Sequence, residues 1–363
     1  MWSEYDFNKI PFDQIEGLGQ RSLVHRDVFS VSWILNRFCN YSCSYCWPGS
    51  NTKERDFRSL DNLKHTVNEI KRQARDRGFN SFHFAFTGGE PSAHPHYLEL
   101  LRHYSSDKDS CNYLSVHTTS NLSQGKVWLN SYAEITKEFN RSNLTASYHS
   151  EFADEKKFIE KAVYLQSLGV RVTVNVVMVP SRFDDLLALA KRFSSENVNV
   201  TLKPQMDTSK ENVLEDGYSA EMLDIIRGGM PQRYYLGIGN AEVAVSTQPS
   251  EVSPDQEMQF ELVDDTGKTW FMDQAERLNT FEFNKFKGWE CSAGFRSCAI
   301  HEPSGHVKRG HGCLDQVLGH VETGFDLFNK VALCQTSNAC TCSADSKIPK
   351  RKTRAAYKLF PDI

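Results

Sequence analysis

A regular alternation of short β-rich runs with longer amphipathic patterns is the feature that most limits how this sequence can fold. The alternation extends from residue 28 to residue 205, with β-rich runs at residues 28–35, 81–86, 113–119, 143–148, 170–179 and 198–202. Helical patterns lie between them, at residues 60–77, 95–104, 126–139, 154–168 and 182–193. Alternating β and α segments predict an α/β fold with a parallel sheet, built as an open sheet or a partial barrel. In both arrangements the functional site lies at the carboxyl ends of the strands.

The remaining segments differ in character from this alternating core. In residues 206–290 glycines and prolines interrupt short β-like runs, which indicates a connector with β-hairpins. Residues 291–363 are rich in Cys, Gly and His, as expected for a small domain organised by metal, and they end in a basic tail over residues 347–354. We therefore predict an N-terminal extension over residues 1–27, a central domain over 28–205, the connector over 206–290 and the cysteine-rich domain over 291–363.

The composition excludes several functional classes. The 42 basic and 46 acidic residues give a net charge of −4 without a long run of one sign, so we expect no nucleic acid and no membrane partner. The sequence contains no apolar run of about 18 residues and no recognisable export signal, which predicts a cytoplasmic location. In that reducing compartment the ten cysteines indicate metal sites rather than disulfides.

Three cysteines lie close together directly after the first predicted strand. Cys39, Cys43 and Cys46 have the spacing CxxxCxxC, and the aromatic residue Tyr45 precedes the third cysteine. A loop at this position brings three thiols to the carboxyl edge of the sheet. Structural zinc is the alternative, although zinc knuckles favour paired two-residue spacings with a fourth ligand nearby.

A second motif ends the second predicted strand with Gly88, Gly89, Glu90 and Pro91. The two glycines allow the backbone to approach a ligand closely, and the carboxylate can accept hydrogen bonds from an ammonium group. On its own such a loop is a common strand-to-helix turn. Its position one βα unit after the cysteine loop makes a shared function the better interpretation.

Together the two motifs resemble those of the radical S-adenosylmethionine (radical SAM) superfamily. The resemblance implies a partial (β/α)6 TIM-like barrel with a [4Fe–4S] cluster held by the three cysteines, whose open iron binds S-adenosylmethionine. It implies reductive cleavage of S-adenosylmethionine to a 5′-deoxyadenosyl radical, which abstracts a hydrogen from the substrate. It also implies an electron donor such as flavodoxin or ferredoxin.

The resemblance suggests further site residues at the strand ends, although each could equally be a helix cap, a turn residue or a core residue. The cofactor-binding candidates are Tyr45, Gly88, Gly89, Glu90, Pro91, Ser120, Asn121, Ser147 and Val177. The catalytic candidates, chosen by their position after a strand, are Lys203, His149 and Glu151.

A second group of cysteines falls between residues 291 and 342 and is similar to the auxiliary iron–sulfur extensions of the twitch or SPASM type. It departs from the full SPASM pattern, because the last cysteines lack the expected CxxC spacing. One auxiliary cluster, of the [4Fe–4S] type, is the favoured count, with ligands among Cys291, Cys313, Cys334, Cys340 and Cys342. We expect Cys298 to be a bystander and Cys111 a small buried side chain, and structural zinc is again the alternative.

These resemblances predict an oxidoreductase. An auxiliary cluster near the substrate can accept an electron, which favours dehydrogenation or oxidative bond formation. The ending from Cys334 to Asp345 looks closest to radical enzymes of sugar or polysaccharide metabolism, so the first expectation is a sugar-like small molecule. The alternative is a peptide substrate, modified by epimerisation or by a thioether or C–C crosslink. A zinc-stabilised binding protein without catalysis is the alternative from another class.

Overall fold

The computed structural model describes residues 7–20, 27–47, 49–209, 213–230, 234–235, 245–246, 260–272, 275–313, 316–340 and 342–352. Parts of the predicted connector and residues 353–354 of the predicted basic tail lie outside these ranges. The described helices are α1 (Leu60–Arg75), α2 (Tyr97–Ser105), α3 (Lys126–Thr136), α4 (Glu155–Ser167), α5 (Phe183–Ser195), α6 (Ala220–Gly228), α7 (Glu276–Thr280) and α8 (Ser343–Ser346).

The described strands, numbered along the chain, form two larger sheets and one short pair. They are β1 (Ile15–Gln20), β2 (Val28–Asn36), β3 (Ser81–Gly88), β4 (Tyr113–Ser120), β5 (Arg141–Tyr148), β6 (Arg171–Met178), β7 (Asn199–Pro204), β8 (Tyr234–Tyr235), β9 (Val245–Ser246), β10 (Phe260–Asp264), β11 (Thr269–Met272), β12 (Glu290–Cys291), β13 (Ser297–His301), β14 (His306–Lys308), β15 (Val317–His320), β16 (Gly324–Phe325), β17 (Ala332–Leu333) and β18 (Lys350–Arg351). None of the described helices has the length and apolar character that a membrane span requires.

The predicted α/β fold with a parallel sheet is confirmed. The larger sheet has the order β16-β15-β14-β13-β2-β3-β4-β5-β6-β7, in which β13 and β2 to β7 are parallel neighbours. Helices α1 to α5 follow β2 to β6 in turn, as the alternation predicts and as a partial (β/α)6 barrel requires. All the carboxyl ends of these strands therefore meet at one edge.

The parallel strands have two unlike faces, which is the main local property that shapes the site. On β6, Val172, Val174 and Val176 are buried against the helices, whereas Thr173 and Asn175 on the opposite face keep accessible surface. The same alternation occurs on β3, β4, β5 and β7. A closed barrel is usually filled by apolar side chains. Here the inward face carries polar side chains that keep part of their surface accessible, and we call the space that they line the chamber.

The second sheet joins segments from both ends of the chain. Its order is β11-β10-β1-β18-β12-β17, so a strand of the predicted N-terminal extension pairs with β10 from the connector and with β18 from the C-terminal region. In addition, β13 extends the barrel sheet, with Cys298 paired to Val31 of β2. Each of the two larger sheets therefore contains strands from more than one of the predicted segments.

Candidate functional site

The loop that follows β2 carries the first three cysteines and folds back on itself. Arg37 O accepts a hydrogen bond from Thr52 N (2.9 Å), and Thr52 O accepts one from Cys39 N (3.1 Å). Lys53 Nζ then donates to Cys39 O (2.7 Å) and Tyr41 O (2.9 Å). These bonds close the segment of residues 37–53, called the cysteine loop below, at the carboxyl edge of the sheet.

The thiols of this loop lie in surroundings that favour their protonated form. Cys39 and Cys43 are buried and Cys46 is partly exposed. Burial, together with the nearby Cys39 and Cys46, raises the pKa of Cys43 to about 12. A bound cation would be needed to hold these groups as thiolates. Among the residues that the structure describes, no three Cys, His, Asp or Glu side chains are arranged to hold a single metal ion.

The loop after β3 is hydrogen bonded to the start of the cysteine loop. Gly89 N donates to Asn36 O (2.8 Å), and Glu90 N donates to Phe38 O (2.7 Å). A Cβ atom on Gly88 would lie 2.3 Å from Asn36 O, and one on Gly89 would lie 2.2 Å from Phe38 O. The glycines are therefore required by the close approach of two backbone segments. The sequence predicts that these two glycines approach a ligand, and it does not indicate their contact with the backbone of Asn36 and Phe38.

Glu90 connects three elements through a buried carboxylate that is 1% exposed. Oε1 accepts hydrogen bonds from Ser92 N (3.0 Å) and Ser120 Oγ (2.8 Å), and Oε2 accepts one from Asn121 N (2.6 Å). Burial raises the pKa of Glu90 despite these bonds. All three of these donors belong to the chain, and binding of a ligand ammonium group by Glu90 stays a prediction. Pro91, also buried, begins the short 3-10 turn that follows.

Asn121, at the end of β4, touches the cysteine loop directly. Its Nδ2 donates to Asn40 Oδ1 (2.9 Å) and lies 3.8 Å from the Sγ of Cys39. Cys39 Sγ also accepts a hydrogen bond from Tyr41 N (3.4 Å). The structure thus brings together the cysteine loop, Glu90, Ser120 and Asn121, all of which are sequence-predicted site residues.

The loop after β5 binds the other side of the cysteine loop. Glu151 accepts hydrogen bonds from Ser44 N (2.8 Å) and from Ser44 Oγ. His149 Nδ1 lies 3.3 Å from Tyr45 Oη, and the two rings stack with centroids 5.9 Å apart. Burial lowers the pKa of His149 to about 4, so the ring is neutral at pH 7. Two of the predicted catalytic residues therefore contact the cysteine loop.

The other candidates lie on the inward faces of the last strands. Ser147 of β5 pairs in register with Asn175 of β6, and Val177 of β6 pairs with Lys203 of β7. All four keep accessible surface. The third predicted catalytic residue, Lys203, therefore shares a chamber wall with Val177, whereas His149 and Glu151 lie beyond the end of β5.

Three of the later cysteines, Cys313, Cys340 and Cys342, lie near the carboxylate of Asp345. Burial raises the pKa of Cys313 to about 12, with further contributions from the charges of Asp345, Cys291 and Cys334. The pKa of Cys340 is raised mainly by burial and also by Asp345, Cys291 and Cys313. Asp345 Oδ2 accepts a hydrogen bond from Gly312 N (2.7 Å).

Two more cysteines have distinct settings. Cys342 is close to the same carboxylate, and burial followed by the charge of Asp345 raises its pKa to about 12. Cys298 lies elsewhere, on the outward face of β13 within the main core, and burial alone raises its pKa. The structure therefore groups the five predicted auxiliary ligands in one region and separates Cys298 from them.

Arg309 is a buried cation beside this second group of cysteines that sequence reasoning did not find. It is 2% exposed, and its guanidinium donates to neutral oxygens. The acceptors are the carbonyls of Ala293 (2.7 Å), Cys291 (2.9 Å), Ala332 (2.6 Å) and Leu333 (2.9 Å) and the Oε1 of Gln316 (2.8 Å). A lone arginine in a polar segment gives no sequence signal of such a position.

Lys350 is a second buried cation in the same region, 3% exposed. Its Nζ donates to the carbonyls of Asp345 (2.6 Å), Ile348 (2.9 Å) and Ser346 (3.2 Å). Burying an ammonium and a guanidinium group is costly, and Asp345 supplies one carboxylate beside these cysteines. Metal-bound thiolates of these cysteines would add negative charge close to both cations, because Arg309 acts on Cys313 and Lys350 acts on Cys340.

Comparison with known proteins gives one family and several solved structures. Residues 33–193, somewhat under half of the chain, match the family described as the Radical SAM superfamily. No curated protein matches the chain. The chain resembles "Native anSMEcpe with bound AdoMet" at 14% identity over 82% of this chain and 79% of that one, with a TM-score of 0.48.

Two other solved structures are similar over a smaller share of their length. For "Native anSMEcpe with bound AdoMet and Cp18Cys peptide" the identity is 17% over 53% of this chain and 55% of that one, with a TM-score of 0.41. For SuiB of Streptococcus suis the identity is 14% over 79% of this chain and 61% of that one, with a TM-score of 0.46.

Proposed function

We propose that this chain is a radical SAM enzyme in which Cys39, Cys43 and Cys46 hold a [4Fe–4S] cluster that binds S-adenosylmethionine. The observation that carries the proposal is the joining of the cysteine loop to the Gly88–Glu90 turn by two backbone hydrogen bonds, within the segment that matches the family. When bound, the cluster and S-adenosylmethionine would supply reductive cleavage and a 5′-deoxyadenosyl radical for hydrogen abstraction.

The chain's own residues would mainly hold this loop in place. Glu90 fixes the turn after β3 to the end of β4, and Asn121 extends that contact to Cys39. On the other side, Glu151 binds the backbone between Cys43 and Cys46. We therefore assign Glu151 and His149 a positioning role and leave Lys203 as the candidate for contact with substrate.

We further propose that the second group of cysteines holds an auxiliary iron–sulfur cluster of the twitch or SPASM type. The two buried cations, Arg309 and Lys350, support it, because a cluster held by thiolates carries net negative charge. A zinc–thiolate site would have the same sign of charge, so metal analysis must separate the two. With an electron acceptor of this kind, the reaction would be an oxidation.

The substrate class that the chamber supports best is a hydroxylated, sugar-like small molecule. The inward faces of β4, β5, β6 and β7 present hydroxyl and amide side chains that keep accessible surface. Such side chains recognise hydroxyl groups by hydrogen bonding. Flavodoxin or ferredoxin would supply the electron, and the reducing conditions that keep ten cysteines as thiols fit a cytoplasmic location.

The test is anaerobic reconstitution of the full chain followed by metal and product analysis. We expect about eight irons per chain and release of 5′-deoxyadenosine on reduction with dithionite. Cys43→Ala should abolish the release while the protein stays folded, and the matched control Cys111→Ala should not. Stoichiometric zinc without iron, or iron without any 5′-deoxyadenosine, would overturn the proposal.

A further inference from the structure

Arg309 binds the backbone of two segments that carry cysteines of the second cysteine group. Cys291 lies on β12 and pairs in register with Ala332 of β17, the strand directly before Cys334. The Arg309 guanidinium donates to Cys291 O (2.9 Å), Ala332 O (2.6 Å) and Leu333 O (2.9 Å), so it spans both strands. Because a guanidinium donates in a fixed planar fork, these bonds hold the cation at one position beside the two cysteines.

Lys350 lies on the opposite side of the strand that carries Cys291. It belongs to β18, and β12 lies between β18 and β17 in the sheet. Cys291 and Lys350 are register partners in the β12–β18 pair. The Lys350 Nζ donates to the carbonyls of Asp345 (2.6 Å), Ser346 (3.2 Å) and Ile348 (2.9 Å), which belong to α8 and the turn after it. Three acceptors from one turn hold the ammonium group in place.

The charge of both cations acts on the sulfur atoms of this group. Burial raises the pKa of Cys334, and the charges of Arg309 and Lys350 oppose that rise. Burial also raises the pKa of Cys313 and of Cys340, where Arg309 and Lys350 respectively have the same opposing effect. Each cation therefore stabilises negative charge on sulfur.

The charged groups that act on these cysteines include one carboxylate besides the two cations. After burial, Asp345 raises the pKa of Cys313, and one of its oxygens accepts a hydrogen bond from Gly312 N (2.7 Å). The potential of an iron–sulfur cluster depends on nearby charge and on solvent exposure. Reduction adds one electron, and positive charge nearby favours the more negative, reduced state. Two buried cations facing one carboxylate would therefore make reduction easier.

We propose that Lys350 and Arg309 raise the reduction potential of the cluster held by the second cysteine group, and thereby make that cluster the electron acceptor of the proposed oxidation. The inference rests on the proposed auxiliary cluster. The couple is a one-electron reduction, in which the oxidised cluster gains one electron from the reductant and no bond of the chain forms or breaks. Arg309 also joins β12 to β17, so Lys350 is the better residue for separating charge from structure.

The test measures the reduction potential of the second cysteine group alone. The full chain carrying Cys39→Ala, Cys43→Ala and Cys46→Ala is reconstituted anaerobically with iron and sulfide, so that the second group holds the remaining cluster. Dithionite with redox mediators sets the potential of the solution, and electron paramagnetic resonance measures the reduced fraction. This measurement needs neither S-adenosylmethionine nor substrate.

The decisive variants in this background change Lys350. Lys350→Met removes the charge and keeps an unbranched side chain. We expect it to lower the equilibrium constant for reduction about tenfold, which for one electron is a shift of about 59 mV toward more negative potential. Lys350→Arg keeps the charge and should restore most of the potential.

Lys71→Met is the matched control, because Lys71 and Lys350 are lysines with the same exposure of 3%. Lys71 lies on α1, where its Nζ donates to Tyr104 O (2.8 Å) and pairs with Asp107. Lys71→Met should leave the potential of the cluster unchanged. If Lys350→Met fails to fold by circular dichroism, Arg309→Gln is the second test and should lower the potential, whereas Arg309→Lys should keep it near the wild-type value.

Three results would overturn the inference. They are a wild-type potential in the folded charge-removing variant, a shift in Lys350→Arg as large as in Lys350→Met, and an equal shift in Lys71→Met. Metal analysis before the measurement identifies a second group that binds zinc or no metal, which would refute the proposed auxiliary cluster and the inference together. Release of 5′-deoxyadenosine by the wild-type chain reports on the radical reaction separately.

Discussion

Replacing Gly89 by Ala should disrupt the contact between the turn after β3 and the cysteine loop. The added Cβ would lie 2.2 Å from Phe38 O and 2.6 Å from Arg37 O, both backbone atoms. An ordinary contact needs at least about 3.2 Å, so one of the two segments must move by about 1 Å. Backbone atoms cannot rotate away as the end of a flexible side chain can, and the strain must spread into both loops.

The magnitude follows from what such a shift breaks. Two backbone hydrogen bonds join the segments, from Gly89 N to Asn36 O (2.8 Å) and from Glu90 N to Phe38 O (2.7 Å). Losing them costs about 1 kcal/mol each, and overpacking adds about 1–3 kcal/mol. We expect Gly89→Ala to lower the free energy of unfolding by about 3–5 kcal/mol and to lower iron content after reconstitution.

Two glycines elsewhere in the chain serve as matched controls. Gly78 has φ +87° with no atom within 4 Å of an added Cβ, so Gly78→Ala measures backbone strain without a clash, about 1–2 kcal/mol. Gly228 has neither feature, and Gly228→Ala should cost nothing. Urea unfolding midpoints and iron per chain, measured anaerobically, compare the three. If Gly89→Ala matches Gly228→Ala in both, the close approach does not constrain the site.

Further predictions concern the cysteine loop, the second cysteine group and pH. Glu151→Gln removes one of the two carboxylate oxygens that bind Ser44, and it should speed loss of visible absorbance in air while changing stability by less than about 1 kcal/mol. Cys298→Ala should leave iron per chain unchanged at a stability cost of about 1 kcal/mol, whereas Cys313→Ala should lower iron content. Burial lowers the pKa of His94 to about 4, below its unfolded value, so its contribution to stability is complete above pH 6.5 and declines as pH falls toward 4. Urea unfolding across this range should show His94→Asn losing roughly 3 kcal/mol of that pH dependence.

The strand and helix order could be predicted because period and spacing are local properties. All six predicted β-rich runs fall on β2 to β7, since each carries an apolar face that packs against the helices. The second sheet could not be predicted, because β1 pairs with strands about 240 and 330 residues away. Nothing in a six-residue run of glycine and mixed side chains indicates such partners.

Sequence position predicts the sheet edge at which a residue lies better than it predicts that residue's contacts. The places of Glu90, Ser120 and Asn121 after β3 and β4 predict cofactor contacts, and the structure brings the three residues together. Their described bonds, however, are to one another and to the cysteine loop. A pattern read along one chain gives the edge of the sheet to which a residue belongs, whereas hydrogen-bond partners depend on how adjacent loops cross.

The placement of the charged side chains fits a reaction that a bound cofactor carries out without an acid–base pair of the chain. Glu90 and Glu151, two carboxylates beside the cysteine loop, accept hydrogen bonds from backbone and hydroxyl donors of the chain. The buried cations Arg309 and Lys350 lie beside the second cysteine group. An enzyme that relied on acid–base catalysis would place an acid and a base together at the reacting end. In the proposed enzyme these carboxylates instead support the cysteine loop, and buried positive charge lies beside the second cysteine group, where an anionic cluster is proposed, as expected when a bound cofactor carries the chemistry.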